Sequence, residues 1–108
     1  MTTSIIQTGP AKCYLSGRTT GIDRHHVLHG RGIKTLAEQD GLWIWLDHGL
    51  HMMIHDKGYA VLPGGLKVTD KELQALGQKT YIKNVMEKGF SEEIARDQFL
   101  HRYGRFWD

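Results

Sequence analysis

Apolar and polar positions alternate clearly in some stretches of this chain and hardly at all in others. Residues 1–21 carry turn-formers (Gly9-Pro10, Ser16-Gly17 and Gly21) and little periodicity. They read as an irregular segment with a short strand near Tyr14-Leu15. His25 to Leu28 reads as a short strand, ended by Gly30-Arg31-Gly32. Thr35-Leu36-Ala37-Glu38 has the spacing of a capping box, with Thr35 at the N-cap and Glu38 three residues on. Gly41 would close that short helix. Leu42-Trp43-Ile44-Trp45-Leu46 is an apolar, aromatic-rich run and the clearest strand in the chain. Asp47 is placed to cap the next helix, which carries His51 and His55 and stops at Gly58. Tyr59 to Lys67, with Pro63-Gly64-Gly65, reads as a loop. Thr69 or Asp70 caps a helix running toward Lys88 and weakened at Gly77. Ser91 caps a last helix with Glu92 and Glu93 in its first turn, where the helix dipole favours them. Ala95, Phe99, Tyr103 and Phe106 recur on it at helical spacing, and Gly104 is positioned to end it before Phe106.

This order of elements predicts an α+β fold. At 108 residues the chain is expected to be one domain, with a core over about 13–58 and a C-terminal helical extension over about 69–104. Hydrophobic content of 40% permits only a modest core, and a bound metal would help it. The net charge of +2, with histidines neutral, is compatible with a nucleic-acid partner without pointing to one. Cys13 is the one cysteine, which excludes an intrachain disulfide and a zinc site built on thiolates. No apolar run reaches the roughly 18 residues of a membrane helix. Met1 to Pro10 lacks the basic start and apolar centre of a signal peptide. No membrane association and a cytoplasmic location are therefore expected.

Chemistry concentrates in two histidine groups, Asp23-Arg24-His25-His26-Val27 and His51-Met52-Met53-Ile54-His55. On a helix, His51 and His55 stand one turn apart on one face and can reach a single ion. On a strand, His25 and His26 point to opposite faces, so one can bind metal while the other acts on a substrate. A hairpin packed on the helix would bring all four together. Three neutral imidazoles with open positions make a plausible catalytic metal site. A neighbouring histidine can act as general base, since imidazole has a neutral form available near neutral pH. A zinc-protease reading of His-x-x-x-His fails, because that motif needs glutamate after the first histidine and position 52 is Met52. His29, His48 and His101 are read as ordinary surface or hydrogen-bonded residues. Trp43 and Trp45 are read as core packing rather than as platforms for bases.

These residues resemble the HNH, or His-Me finger, endonucleases, most of all the small phage-type HNH proteins. The resemblance covers roughly Cys13 to Gly58 and implies a ββα-metal core followed by C-terminal helices. It implies that His25, His51 and His55 are metal ligands and that His26 is the general base. It also implies one divalent cofactor (zinc, nickel, manganese or magnesium), a nucleic-acid partner, expected to be double-stranded DNA, and a bacterial or phage-infected cell as the setting. Arg24, Arg31 and Lys34 are the candidate phosphate contacts, with Arg18 nearby. Many relatives add a structural zinc on two Cys-x-x-Cys pairs. Here those stretches read Cys13-Tyr14-Leu15-Ser16 and Asp47-His48-Gly49-Leu50, so no structural zinc is expected. The family asparagine that helps orient the base falls near Asp40-Gly41, where this chain has none; a backbone carbonyl or Asp40 could substitute. Two rival readings are a non-catalytic DNA-binding module of the same shape and a protein using its histidines for structural metal only.

Overall fold

Ladder partners decide where the first strand lies. The computed structural model describes residues 3–107, so the first two residues of the predicted irregular segment lie outside it. Strand β1 is Ile22–His26 and β2 is Trp43–Asp47, paired antiparallel with Asp23 opposite Leu46, His25 opposite Ile44 and His26 opposite Trp43. β1 thus starts before the predicted His25, because Ile22, Asp23 and Arg24 also find partners on β2. Val27 still donates to the Leu42 carbonyl at 3.1 Å, just past the strand end. Ile44 and Leu46 on β2 are fully buried and anchor the sheet in the core. The stretch near Tyr14-Leu15 is a turn rather than a strand. It docks on β2 through Tyr14 N–H, which donates to the Trp45 carbonyl at 2.7 Å.

Helix α1, Ile33–Asp40, connects the two strands. Its N-cap is Gly32, and no side chain caps it. The capping box expected from Thr35 and Glu38 is therefore absent, since the helix begins before Thr35. Glu38 turns to β1 instead, where charge-assisted bonds to Arg24 and His26 are stronger than a bond to a backbone N–H. Gly41 closes α1 as expected, with φ 72° and its N–H returned to Ala37 and Glu38.

Helix α2, His48–Lys57, is capped by Asp47, which accepts from Leu50 N–H at 2.9 Å, and ends at Gly58. The predicted loop after it is in fact a hairpin of β3, Tyr59–Val61, and β4, Lys67–Thr69. Three-residue strands are too short to show a period in sequence. Thr69 and Glu72 form a full capping box for α3, Asp70–Glu87. Helix α3 runs unbroken through Gly77. A Cβ there would meet Val27 Cγ2 at 2.5 Å, so the missing side chain is what lets the helix approach the end of β1. Helix α4, Glu92–Tyr103, is capped by Ser91 and ends at Gly104, as expected. Phe106, beyond the helix, still stacks on Phe99 at 6.1 Å between ring centres.

The described residues therefore form an α+β fold with two two-stranded antiparallel sheets and four helices. β1, β2 and α2 form a strand, strand and helix unit compatible with the expected ββα core, while α3 and α4 pack together as the extension. No helix among the described residues is long and apolar enough to cross a membrane. The stretches 13–16 and 47–50 are joined by a hydrogen bond. Ser16 Oγ donates to Asp47 Oδ2 at 2.9 Å, and Ser16 N–H donates to Cys13 Sγ at 3.3 Å. On the far side, Arg102 Nε and the Tyr103 hydroxyl both donate to Asp40 Oδ2, tying α1 to α4.

Candidate metal centre

Strand alternation sorts the side chains of β1. Asp23 and His25 face α2, whereas Arg24 and His26 face α1. On α2, Leu50 and Ile54 are buried in the core, and His51 and His55 each follow one residue later, at the edge of that stripe. The two imidazoles consequently meet His25. Ring centres are 5.1 Å apart for His25 and His51, 5.9 Å for His25 and His55, and 4.6 Å for His51 and His55. One nitrogen from each of the three lies within 4.8 Å of the others.

Hydrogen bonding fixes which nitrogens are available. A carboxylate only accepts, so His51 Nδ1–H donates to Asp23 Oδ2, at 3.0 Å. The lone pair of a neutral His51 is then on Nε2, which accepts from His55 Nε2–H at 3.0 Å until an ion takes the place of that proton. Two nitrogens bound tetrahedrally to one zinc stand about 3.3 Å apart, given metal–nitrogen bonds of about 2.0–2.1 Å. His25 Nε2 is buried with no hydrogen-bond partner. Such an atom costs about 1–3 kcal/mol unless something binds it. Trp43 Nε1 and Asp70 Oδ1 are also buried and unpaired, but neither belongs to a group of convergent ligand atoms. Burial, reinforced by the surrounding imidazoles with His51 first, pushes the His25 pKa down to about 3 and keeps this ring neutral and able to ligate. The donor set fits a divalent transition metal, with a carboxylate behind one ligand in the manner that orients metal-bound histidines.

Asp23 also accepts from His48 Nδ1–H at 2.7 Å. The two imidazole donors, His51 above all, hold its carboxyl below the usual carboxylate range. His25 is buried, His51 half-buried and His55 exposed, so the group opens to solvent on one side. The cleft there, of about 90 Å³, is lined by Arg24, His25, His26, His29, Lys34, His51 and His55.

The predicted site residues are thus brought together with one exception. Arg31 is exposed on the turn before α1 and does not line the cleft. Lys34 does line it. Arg24 lines it too, but its guanidinium is already engaged. NH1 donates to both Glu38 oxygens at 2.8 Å, and the group lies 3.8 Å over the Trp43 ring. His26 Nε2–H donates to Glu38 Oε1 at 2.9 Å. Asp40, named above as a possible partner for His26, is taken up by Arg102 and Tyr103 and plays no such part. Two residues that hold the site were given no role in it by the sequence reading. Asp23 carried a usable signal, since it stands two residues from His25 and so shares its strand face. Glu38 carried no local signal. His29, read as a surface or hydrogen-bonded residue, is paired with Asp70 at 2.9 Å on the cleft wall.

Compared with known proteins, the chain matches no family model, no curated protein and no solved structure.

Proposed function

We propose that this protein is a metal-dependent endonuclease of the HNH type that hydrolyses phosphodiester bonds in DNA. The observation that supports this most is the convergence of His25, His51 and His55 around the unpaired, buried Nε2 of His25, in the same cleft as a second histidine held by a carboxylate. The β1, β2 and α2 unit that carries these residues is compatible with the ββα core of that family.

His25, His51 and His55 would hold the ion, and Asp23 keeps His51 in the tautomer with its lone pair on Nε2. A divalent transition metal held there (zinc, nickel or manganese) would supply Lewis-acid charge to the phosphorane and the leaving 3′ oxygen. His26 accepts the proton of the attacking water. Its Nε2–H is committed to Glu38, so the accepting lone pair is on Nδ1. Lys34 in the cleft wall and exposed Arg31 nearby contact backbone phosphates, and such contacts make binding weaken with salt.

Nicking of supercoiled plasmid tests this reading. The protein should nick in the presence of a transition metal, stop in excess chelator and recover when metal is restored. His26→Ala should lower the rate about 10²–10⁴-fold, the usual worth of a general base, and leave metal binding intact. Undiminished nicking by His26→Ala, or in excess chelator, would refute the assignment.

A further inference from the structure

The carboxylate behind His26 belongs to Glu38, a helix residue twelve positions away in the chain. From this geometry we infer that Glu38 is the positioning residue of the base, fixing His26 in the Nε2–H tautomer with Nδ1 turned to substrate. The inference rests on the reading of His26 as the base, and it assigns to Glu38 the orienting part.

Three contacts carry it. Glu38 Oε1 lies 2.9 Å from His26 Nε2, and a carboxylate at that distance accepts only from an N–H. Glu38 is itself held, because Arg24 NH1 donates to both of its oxygens at 2.8 Å. The Arg24 guanidinium in turn lies over Trp43, 3.8 Å from the ring centre. Trp43 stands opposite His26 in the β1–β2 register, so the chain of contacts from Trp43 through Arg24 and Glu38 returns to the imidazole it positions. The His26 side chain is only 11% exposed, and a ring so enclosed has few other orientations. Arg24 therefore serves as the anchor of Glu38 rather than as a free phosphate contact.

The substitution Glu38→Gln separates positioning from packing. It keeps the volume and the link to Arg24. Oε1 accepts from both Arg24 and His26, so in the glutamine variant either an uncharged oxygen serves both donors or an amide NH₂ faces both. Either way the carboxylate charge that holds the His26 proton on Nε2 is lost, and part of the ring population moves its proton to Nδ1, where the base is blocked. Long-range ¹H–¹⁵N NMR on the full chain reads the tautomer directly, with zinc affinity measured alongside. Wild type should show Nε2–H, and Glu38→Gln should show a population of Nδ1–H that wild type lacks. The kcat for plasmid nicking should fall, by no more than the about 10²–10⁴-fold of losing the base itself, with KM and zinc affinity unchanged. Glu38→Ala should lose the tautomer preference, and the isosteric glutamine variant stands in for it if alanine does not fold. A ring as fully Nε2–H in Glu38→Gln as in wild type, or an unchanged kcat, overturns the inference. If wild type nicks no plasmid with any divalent metal, the nuclease reading fails separately, and the tautomer comparison alone decides whether Glu38 positions His26.

Discussion

At the C-terminal end of α1, Asp40 accepts from Arg102 Nε at 2.6 Å and from the Tyr103 hydroxyl at 2.5 Å, and Gln39 accepts from Arg102 at 3.1 Å. These donors have their acceptors within the protein. Burial and the Asp40 carboxylate both push the Tyr103 hydroxyl pKa up, so it stays protonated and donating. The histidine cleft is built the other way. The Nε2 atoms of His51 and His55 share a hydrogen bond of 3.0 Å, and His25 Nε2 beside them has no partner. Yet the open cleft beside Asp40 is the larger one, about 740 Å³ against about 90 Å³. Size does not mark the candidate site here; convergent ligand nitrogens, one of them buried and unsatisfied, do. A polar cluster that satisfies itself holds the fold together, whereas one left incomplete is set up for a ligand.

Substitutions should separate the two clusters. His51→Ala removes a ligand outright. Its metal affinity should fall by more than the roughly 10–100-fold that losing a ligand's outer hydrogen-bond partner costs. Thermal unfolding of the metal-free protein should be little changed. Loss of the fold with no loss of zinc affinity would put the histidines among the structural contacts.

Asp23→Asn tests the carboxylate behind His51. Zinc affinity should fall about 10–100-fold, because the ligand loses its orienting charge while the nitrogens remain. Calorimetry reads this directly, and equal affinity in both proteins would remove Asp23 from the account.

Asp40→Ala should do the reverse. It leaves a guanidinium and a hydroxyl without their acceptor, which costs about 1–3 kcal/mol of stability. Zinc affinity should not move. A weaker metal site in this variant, seen by the same titration, would mean that the two clusters are coupled.

Acid gives the gentlest test. His25 titrates at about 3 in the folded protein against a reference value of 6.5, so between those limits the unfolded chain binds the proton first. Stability of the metal-free protein should therefore decline as pH drops below the unfolded value and go on declining toward about 3. The expected slope from this one group is about 1.4 kcal/mol per pH unit. Asp23, held below its reference value, adds a loss at still lower pH. Urea unfolding of wild type and His25→Ala at several pH values isolates the His25 part, and parallel pH dependence in the two would show that its burial has no such consequence.

Much of the candidate site was legible because its signals are local. An i,i+4 pair on a capped helix predicts where His51 and His55 point, and strand alternation separates His25 from His26. Asp23 was legible by the same alternation. Glu38 was not, because its local context, Thr35-Leu36-Ala37-Glu38, favours a cap, and only the long-range pairing with Arg24 and His26 overrides it. Helix ends at Asp47, Gly58, Ser91 and Gly104 were read correctly from capping chemistry. The β3–β4 hairpin was missed because its strands are too short for a periodic signal. The packing role of Gly77 was not legible because helix propensity says nothing of a neighbour such as Val27 pressing on the same spot.

The central claim is that His25, His51 and His55 hold one metal ion. Titrating zinc into the metal-free chain by calorimetry, beside His25→Ala, tests it most directly. The account predicts one ion per wild-type chain and sharply weakened binding in His25→Ala. Binding that survives the loss of His25, or no zinc binding by wild type, would contradict it.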